Sequence, residues 1–183
     1  VDAPAPTDAD LLAAHRSGDE QAFGELVTRY RAKMWGIAAR TLQHPEDAAD
    51  VVQEALVSAY RSAGSYRGDA SVRTWLHRIL VNACIDRIRK ERRRSTVPVA
   101  DVEPWLRRGD VAAEVVTRLS VERALATLPA PQRLAVVLVD VQGWPLGEVA
   151  EILEVPVGTV KSRCARGRVR LAVLLGHLRE EER

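Results

Sequence analysis

The sequence predicts an all-α protein of two small helical domains joined by a flexible linker. Three observations carry this. Apolar residues recur at spacings of three and four along most of the chain. No alternating apolar–polar run long enough for a strand occurs. From about Ser95 to Asp110 the periodicity stops, in a mixed-charge stretch broken by Pro98, Pro104 and Gly109. A length of 183 residues accommodates one medium domain or two small ones.

The elements follow in order. Residues 1 to 6 are rich in Ala and Pro and read as loose. Thr7 offers a helix cap, with Asp10 three residues on, and Ser17 with Glu20 repeats the signal. Phe23, Leu26, Val27, Tyr30, Met34, Ile37 and Ala38 then form one apolar stripe on a long helix. His44-Pro45 ends it, and Pro45 suits the first turn of the next. Val51, Val52, Ala55, Leu56, Ala59 and Tyr60 mark that helix, which stops at Gly64. "SYRGDAS" is a loop, and Ser71 caps a helix bearing Val72, Trp75, Leu76, Ile79, Leu80, Ala83 and Ile88. After the linker, Val115, Leu119, Ala124, Leu125 and Leu128 lead to a break at "LPAPQ". Leu134, Val137, Leu138 and Val141 follow, ended by Gly143. "PLGEVAEILEV" and "VGTVKSRCARGRVRLAVLL" are two further helices hinged at Val155-Pro156.

Composition narrows the function. The hydrophobic share of 46% suffices for real cores, and with aromatics at 4% those cores are aliphatic. The net charge of +2 is uninformative, but its distribution is not. Arg87 to Arg94, "RIRKERRR", is one basic cluster and Lys161 to Arg170 another, while acids gather at Asp8 to Glu25 and Glu46 to Glu54. Two separated basic patches fit two contacts on one long polyanion. Solvated helix faces would give the same charge pattern. Cys84 and Cys164 lie far apart outside any C-x-x-C, and His15, His44, His77 and His177 show no ligand spacing. Reduced buried thiols, no metal and no cofactor are expected. The longest apolar run, Leu134 to Val139, is too short to span a bilayer, and the first residues carry no signal-peptide pattern. A cytoplasmic protein without membrane insertion is the expectation.

The last two helices have helix-turn-helix proportions. Leu146, Val149, Ala150 and Leu153 give the first an inward face, and the small Ala150 allows a close helix crossing. Val160 and Cys164, at i and i+4, turn the second inward and leave Thr159, Lys161, Ser162, Arg163 and Arg166 outward. Between Val155 and Leu171 there is no acid. Arg there can bridge guanine O6 and N7, while Lys and Ser hold phosphates. The other basic patch extends a helix carrying Trp75 and Asn82, behind the polar loop Ser65 to Ser71. Aromatic, basic and loop groups together are how single-stranded bases are held, although Trp75 at this periodicity also reads as core.

"HPEDAADVVQEALVSAYRSAGSYRGDASVRTWLHRILVNACIDRIRKERRR" resembles region 2 of bacterial extracytoplasmic-function (ECF, group IV) RNA polymerase sigma factors. "LPAPQRLAVVLVDVQGWPLGEVAEILEVPVGTVKSRCARGRVRL" is similar to their region 4. Order, spacing and linker length agree. The resemblance implies a region 2 bundle over residues 1–94, a linker over 95–114 threading the polymerase cleft and RNA exit path, and a region 4 helix-turn-helix over 115–183. It implies a promoter-specificity subunit, not an enzyme, whose partner is core RNA polymerase, met at the largest-subunit clamp coiled coil and at the flap. An anti-sigma factor is a further expected partner. Glu46, Asp47, Asp50, Gln53 and Glu54 match the polymerase-binding face. Ser65, Tyr66, Arg67, Trp75, Arg78, Asn82 and Arg87 match the segment that melts the −10 element and reads it single-stranded. Thr159, Lys161, Ser162, Arg163 and Arg166 match the reader of the double-stranded −35 element. Two positions depart from the pattern: Glu154 stands where the family usually has glycine, and Cys164 where it commonly has leucine.

Two other readings of the residues stand beside this. A free-standing dimeric helix-turn-helix regulator with an amino-terminal sensing domain accounts equally for Val155 to Leu171, but not for the acidic stripe of Glu46, Asp50 and Glu54 at i, i+4 and i+8, the Trp75–Arg94 helix or the linker. An enzyme is disfavoured, since no paired carboxylates, metal cluster or nucleophile–base set is visible.

Overall fold

The computed structural model describes residues 5–42, 44–94 and 113–176; most of the expected linker lies outside these. The described residues contain helices and no strand. They form α1 (Asp8–Arg16), α2 (Glu20–Thr41), α3 (Pro45–Ser62), α4 (Val72–Arg94), α5 (Ala113–Thr127), α6 (Ala130–Val136), α7 (Leu146–Leu153) and α8 (Val157–Leu174). A 3₁₀ turn, Ala63–Ser65, follows α3, and a π turn, Val137–Val141, continues α6.

Local chemistry sets the ends. Thr7 and Asp10 cap α1 reciprocally, each side chain serving the other's backbone N–H at 3.2 and 3.0 Å. Ser17 does not cap α2, contrary to the sequence reading. It closes α1, its hydroxyl donating to the Ala13 carbonyl at 3.1 Å. Gly18, at φ +101°, turns the chain, and Asp19 caps α2 instead, accepting from the Gln21 and Ala22 N–H groups. Pro45 opens α3 as expected, and the Ser71 hydroxyl accepts the Thr74 N–H at 3.0 Å to open α4.

The first four helices bury Leu12, Leu26, Met34, Ile37, Val51, Leu76 and Leu80, and the last four bury Leu128, Leu134, Leu138 and Ile152. All belong to one apolar cluster, because α4 packs on α7 and α2 meets α5 and α6. Helix α6 is enclosed: Leu134 through Leu138 are consecutively buried, where a one-sided stripe was expected. Val141 is exposed, and Ile152 rather than Leu153 is the deeply buried residue of α7. Tyr60 stays at the surface, its ring against those of His15 and Phe23.

Arg133 joins the two halves. Its side chain is 7% exposed and faces no carboxylate among the described residues. Its guanidinium donates to the Thr41 carbonyl at the end of α2 (2.6 Å) and to Ala126 and Leu128 around the end of α5 (2.6 and 2.9 Å). Helix C-termini carry partial negative charge, which is what a buried cation without a counter-ion requires.

Candidate nucleic-acid interface

The α7–turn–α8 unit starts from its turn. Glu154 is left-handed, at φ 51° and ψ 46°, so the position usually held by glycine does require that conformation. Val160, Cys164 and Gly167 form the inward face of α8. Ala150 is buried, and a close helix crossing occurs at Gly167, where a Cβ would sit 2.7 Å from Val136 Cγ2. This contact, absent from the sequence reading, seats α8 against α6. Lys161, Ser162 and Arg166 point to solvent, and Thr159 and Arg163 are half-exposed. The Ser162 hydroxyl donates to the Thr159 carbonyl at 3.0 Å, and Arg166 reaches Ser162 Oγ at 3.4 Å, so three of these groups share one ridge. Arg168 differs: Asp140 grips it through two hydrogen bonds of 2.6 and 3.1 Å, which raise its pKa. Burial raises the Cys164 thiol pKa and pushes that of Cys84 up to about 12, so both stay protonated.

The second surface centres on the loop before α4. Gly68 turns it at φ +82°, and the Tyr66 hydroxyl closes it by donating to the Ala70 carbonyl at 2.5 Å. The Tyr66 ring lies 5.3 Å from that of Trp75, which is half-buried, so Trp75 is both core edge and surface wall. Ser65 and Arg67 are exposed beside them. Asn82 lies two turns along, in an open groove of about 540 Å³ that Glu54, Ser58, Asp86, Arg87 and Lys90 also line.

Two expected members of this set are held in ion pairs. Arg78 turns to the other half of the molecule and pairs with Glu154 at 3.6 Å. Arg87 turns to α3, where Asp47 accepts from one terminal nitrogen and the other lies 3.8 Å from both Asp50 and Glu54. On α3, Glu46, Asp50, Gln53 and Glu54 are exposed, but Asp47 is only partly so. Burial, then the neighbouring Asp47, raises the Glu91 pKa. No spacing rule could have found the Arg87–Asp47 contact, because 40 residues separate its partners.

The seam between the halves was also not anticipated. His77 is fully buried, its ring 4.5 Å from that of Trp144 and 5.8 Å from that of Tyr30. The Arg73 guanidinium lies 4.7 Å over Trp144 and also pairs with Glu148. His77 Nδ1 donates to the Arg73 carbonyl at 2.7 Å, while Nε2 is buried with no partner among the described residues. Burial first, then the charges of Arg73 and Lys33, lower its pKa to about 4.

Comparison with known proteins accords with this geometry. Residues 26–94 match the family Sigma-70 region 2, and residues 118–171 match Sigma-70, region 4. The ECF RNA polymerase sigma factor SigM of Mycobacterium tuberculosis H37Rv is 51% identical, over 94% of this chain and 86% of the relative. The ECF RNA polymerase sigma-E factor of Escherichia coli K12 is 35% identical, over 88% of this chain and 91% of that one. Among solved structures, CnrH in complex with the cytosolic domain of CnrY matches at TM-score 0.70 and 31% identity, covering 93% of this chain and 97% of that one. RpoE of Bartonella quintana, in complex with the anti-sigma factor NepR, matches at TM-score 0.67 and 26% identity, covering 84% and 96%.

Proposed function

The chain belongs to the ECF sigma factors of RNA polymerase, promoter-specificity subunits of transcription initiation, and from that premise we propose how its residues divide the work. The observation that carries the division is the outward face of α8. There Thr159, Lys161, Ser162, Arg163 and Arg166 present cations and hydroxyls on the second helix of a helix-turn-helix, with no ion-paired carboxylate among the described residues. That face enters the major groove of the −35 element, where arginine reads guanine and the remaining groups hold phosphates.

Residues 1–94 dock on core polymerase and open the −10 element; residues 115–183 read the −35 element; residues 95–114 connect them. In the first part the loop groups Ser65, Tyr66 and Arg67, with Trp75 and Asn82, hold an unstacked base and its strand. Arg78 joins them once its contact with Glu154 opens. The exposed acids Glu46, Asp50 and Glu54, with Gln53, meet a basic surface on the clamp coiled coil, giving steering and register. The chain works in the cytoplasm with core polymerase, has no catalytic activity of its own, and is restrained by an anti-sigma factor. Complexes with such partners among its structural neighbours support the last point.

Run-off transcription with core polymerase on a library of randomised promoters tests this. The chain should select paired −35 and −10 sequences, and Asp50→Arg with Glu54→Arg should weaken assembly with core. Tight duplex binding by the chain alone, with no gain from polymerase, would instead mark a stand-alone regulator.

A further inference from the structure

The family resemblance aligned Arg87 with the −10 segment, but its guanidinium stands among carboxylates of α3. Asp47, Asp50 and Glu54 occupy i, i+3 and i+7 of that helix, so all three reach one point on α4. Arg87 fills that point, hydrogen-bonded by Asp47 and 3.8 Å from each of the other two. The Arg87 side chain is 22% exposed and that of Asp47 16%. Glu91 lies one turn further along α4, and burial and then the neighbouring Asp47 raise its pKa. Swinging Arg87 out to a DNA strand would leave the partly buried Asp47 carboxylate without its cation, which is unfavourable.

We propose that Arg87 is a positioning residue of the polymerase-docking stripe: its planar fork fixes Asp47 and holds Asp50 and Glu54 in register for the partner, and it reads no base. This rests on the docking of α3 on core polymerase proposed above. A lysine would keep the charge but not the fork.

The test measures association and dissociation of the full chain on immobilised core polymerase across a salt series. Arg87→Ala should speed dissociation about threefold to tenfold, the span expected for coupled neighbouring charges. It should also steepen the salt dependence of association, since the stripe loses a neighbouring cation. Arg87→Lys should restore the salt dependence while leaving dissociation faster than wild type. In preassembled holoenzyme, the −10 bases preferred across a promoter library should be the same for all three proteins. Unchanged dissociation for Arg87→Ala, full restoration by lysine, or a shifted −10 preference would each overturn the assignment. If Arg87→Ala fails to fold by circular dichroism, the lysine variant, which keeps a cation beside Asp47, carries the test. Normal assembly of Asp50→Arg with Glu54→Arg would defeat the docking reading itself. Impaired assembly there, beside wild-type behaviour of Arg87→Ala, defeats only the role of Arg87.

Discussion

Helices α8 and α4 both carry dense positive charge, yet they hold it differently. On α8, Lys161, Arg163 and Arg166 meet no carboxylate among the described residues, and only Arg168 is paired, with Asp140. On α4, Arg73, Arg78, Arg87 and Arg89 each pair with an acid. Three of those acids lie outside α4, Glu148 being 75 residues from Arg73. The difference teaches that a basic run in a sequence overstates the charge available to a polyanion. What α8 displays, α4 spends in part on internal contacts. Binding to phosphates requires cations not already neutralised, so the proposed DNA face of α8 keeps more of its charge available than the paired arginines of α4 do.

The first test is of the α8 side. Arg163→Ala and Arg166→Ala should each cost ~1–3 kcal/mol on a −35-dependent promoter if they bridge guanine, and should relax preference at one base. A phosphate contact would instead weaken all templates alike and flatten the salt slope. Arg73→Ala, whose partner is Glu148, should leave that slope unchanged. Equal salt slopes for the α8 and α4 variants would break the comparison.

The next effect concerns the burial of His77 on α4. With a folded pKa of about 4 against 6.5 when unfolded, His77 prefers to be neutral in the folded protein. Its contribution is therefore complete above pH 6.5 and is lost as pH falls towards 4, by about 3 kcal/mol in all. Urea unfolding at pH 7.5 and pH 5 should show wild type losing stability at the lower pH. A His77→Phe variant should lose less, and an equal loss in both would assign the pH effect elsewhere.

Gly167→Ala tests how closely α8 must be seated to display its cations. The new methyl would meet Val136 Cγ2 at 2.7 Å, so a destabilisation of about 1–2 kcal/mol is expected. Thermal melting measures it; a melting point at or above wild type would show that Val136 yields freely.

The smallest effect comes from Glu154→Gly. Glycine removes left-handed strain of about 1 kcal/mol, and the Arg78–Glu154 pair it breaks is largely exposed and worth little. A net gain of a few tenths of a kcal/mol in denaturant unfolding is expected, with Arg78 released. Clear destabilisation would mean that the pair matters more than its 3.6 Å separation indicates.

The helices, their breaks and most of their buried stripes were legible because those signals are local. The Thr7–Asp10 box, Pro45, the Ser71 cap and the Val160/Cys164 face each follow from residues within a turn of one another. Glu154 as a strained turn was legible only through the family resemblance, which usually has glycine at that position. The cap of α2 was misread because both Ser17 and Asp19 suit that role, and the φ of Gly18 decides between them.

By itself, then, the sequence determined the all-α class, the helix-turn-helix and the outward cations of α8, since helical periodicity and capping act over three or four residues. Only the tertiary structure decided that Arg87 serves the acids of α3, that His77 lies buried under Trp144, that Gly167 admits Val136, and that Arg133 ties α2 to α5. Each of these depends on which helices face each other. That is set by the burial of apolar area across the whole chain, a non-directional force that leaves no local mark on the residues it brings together.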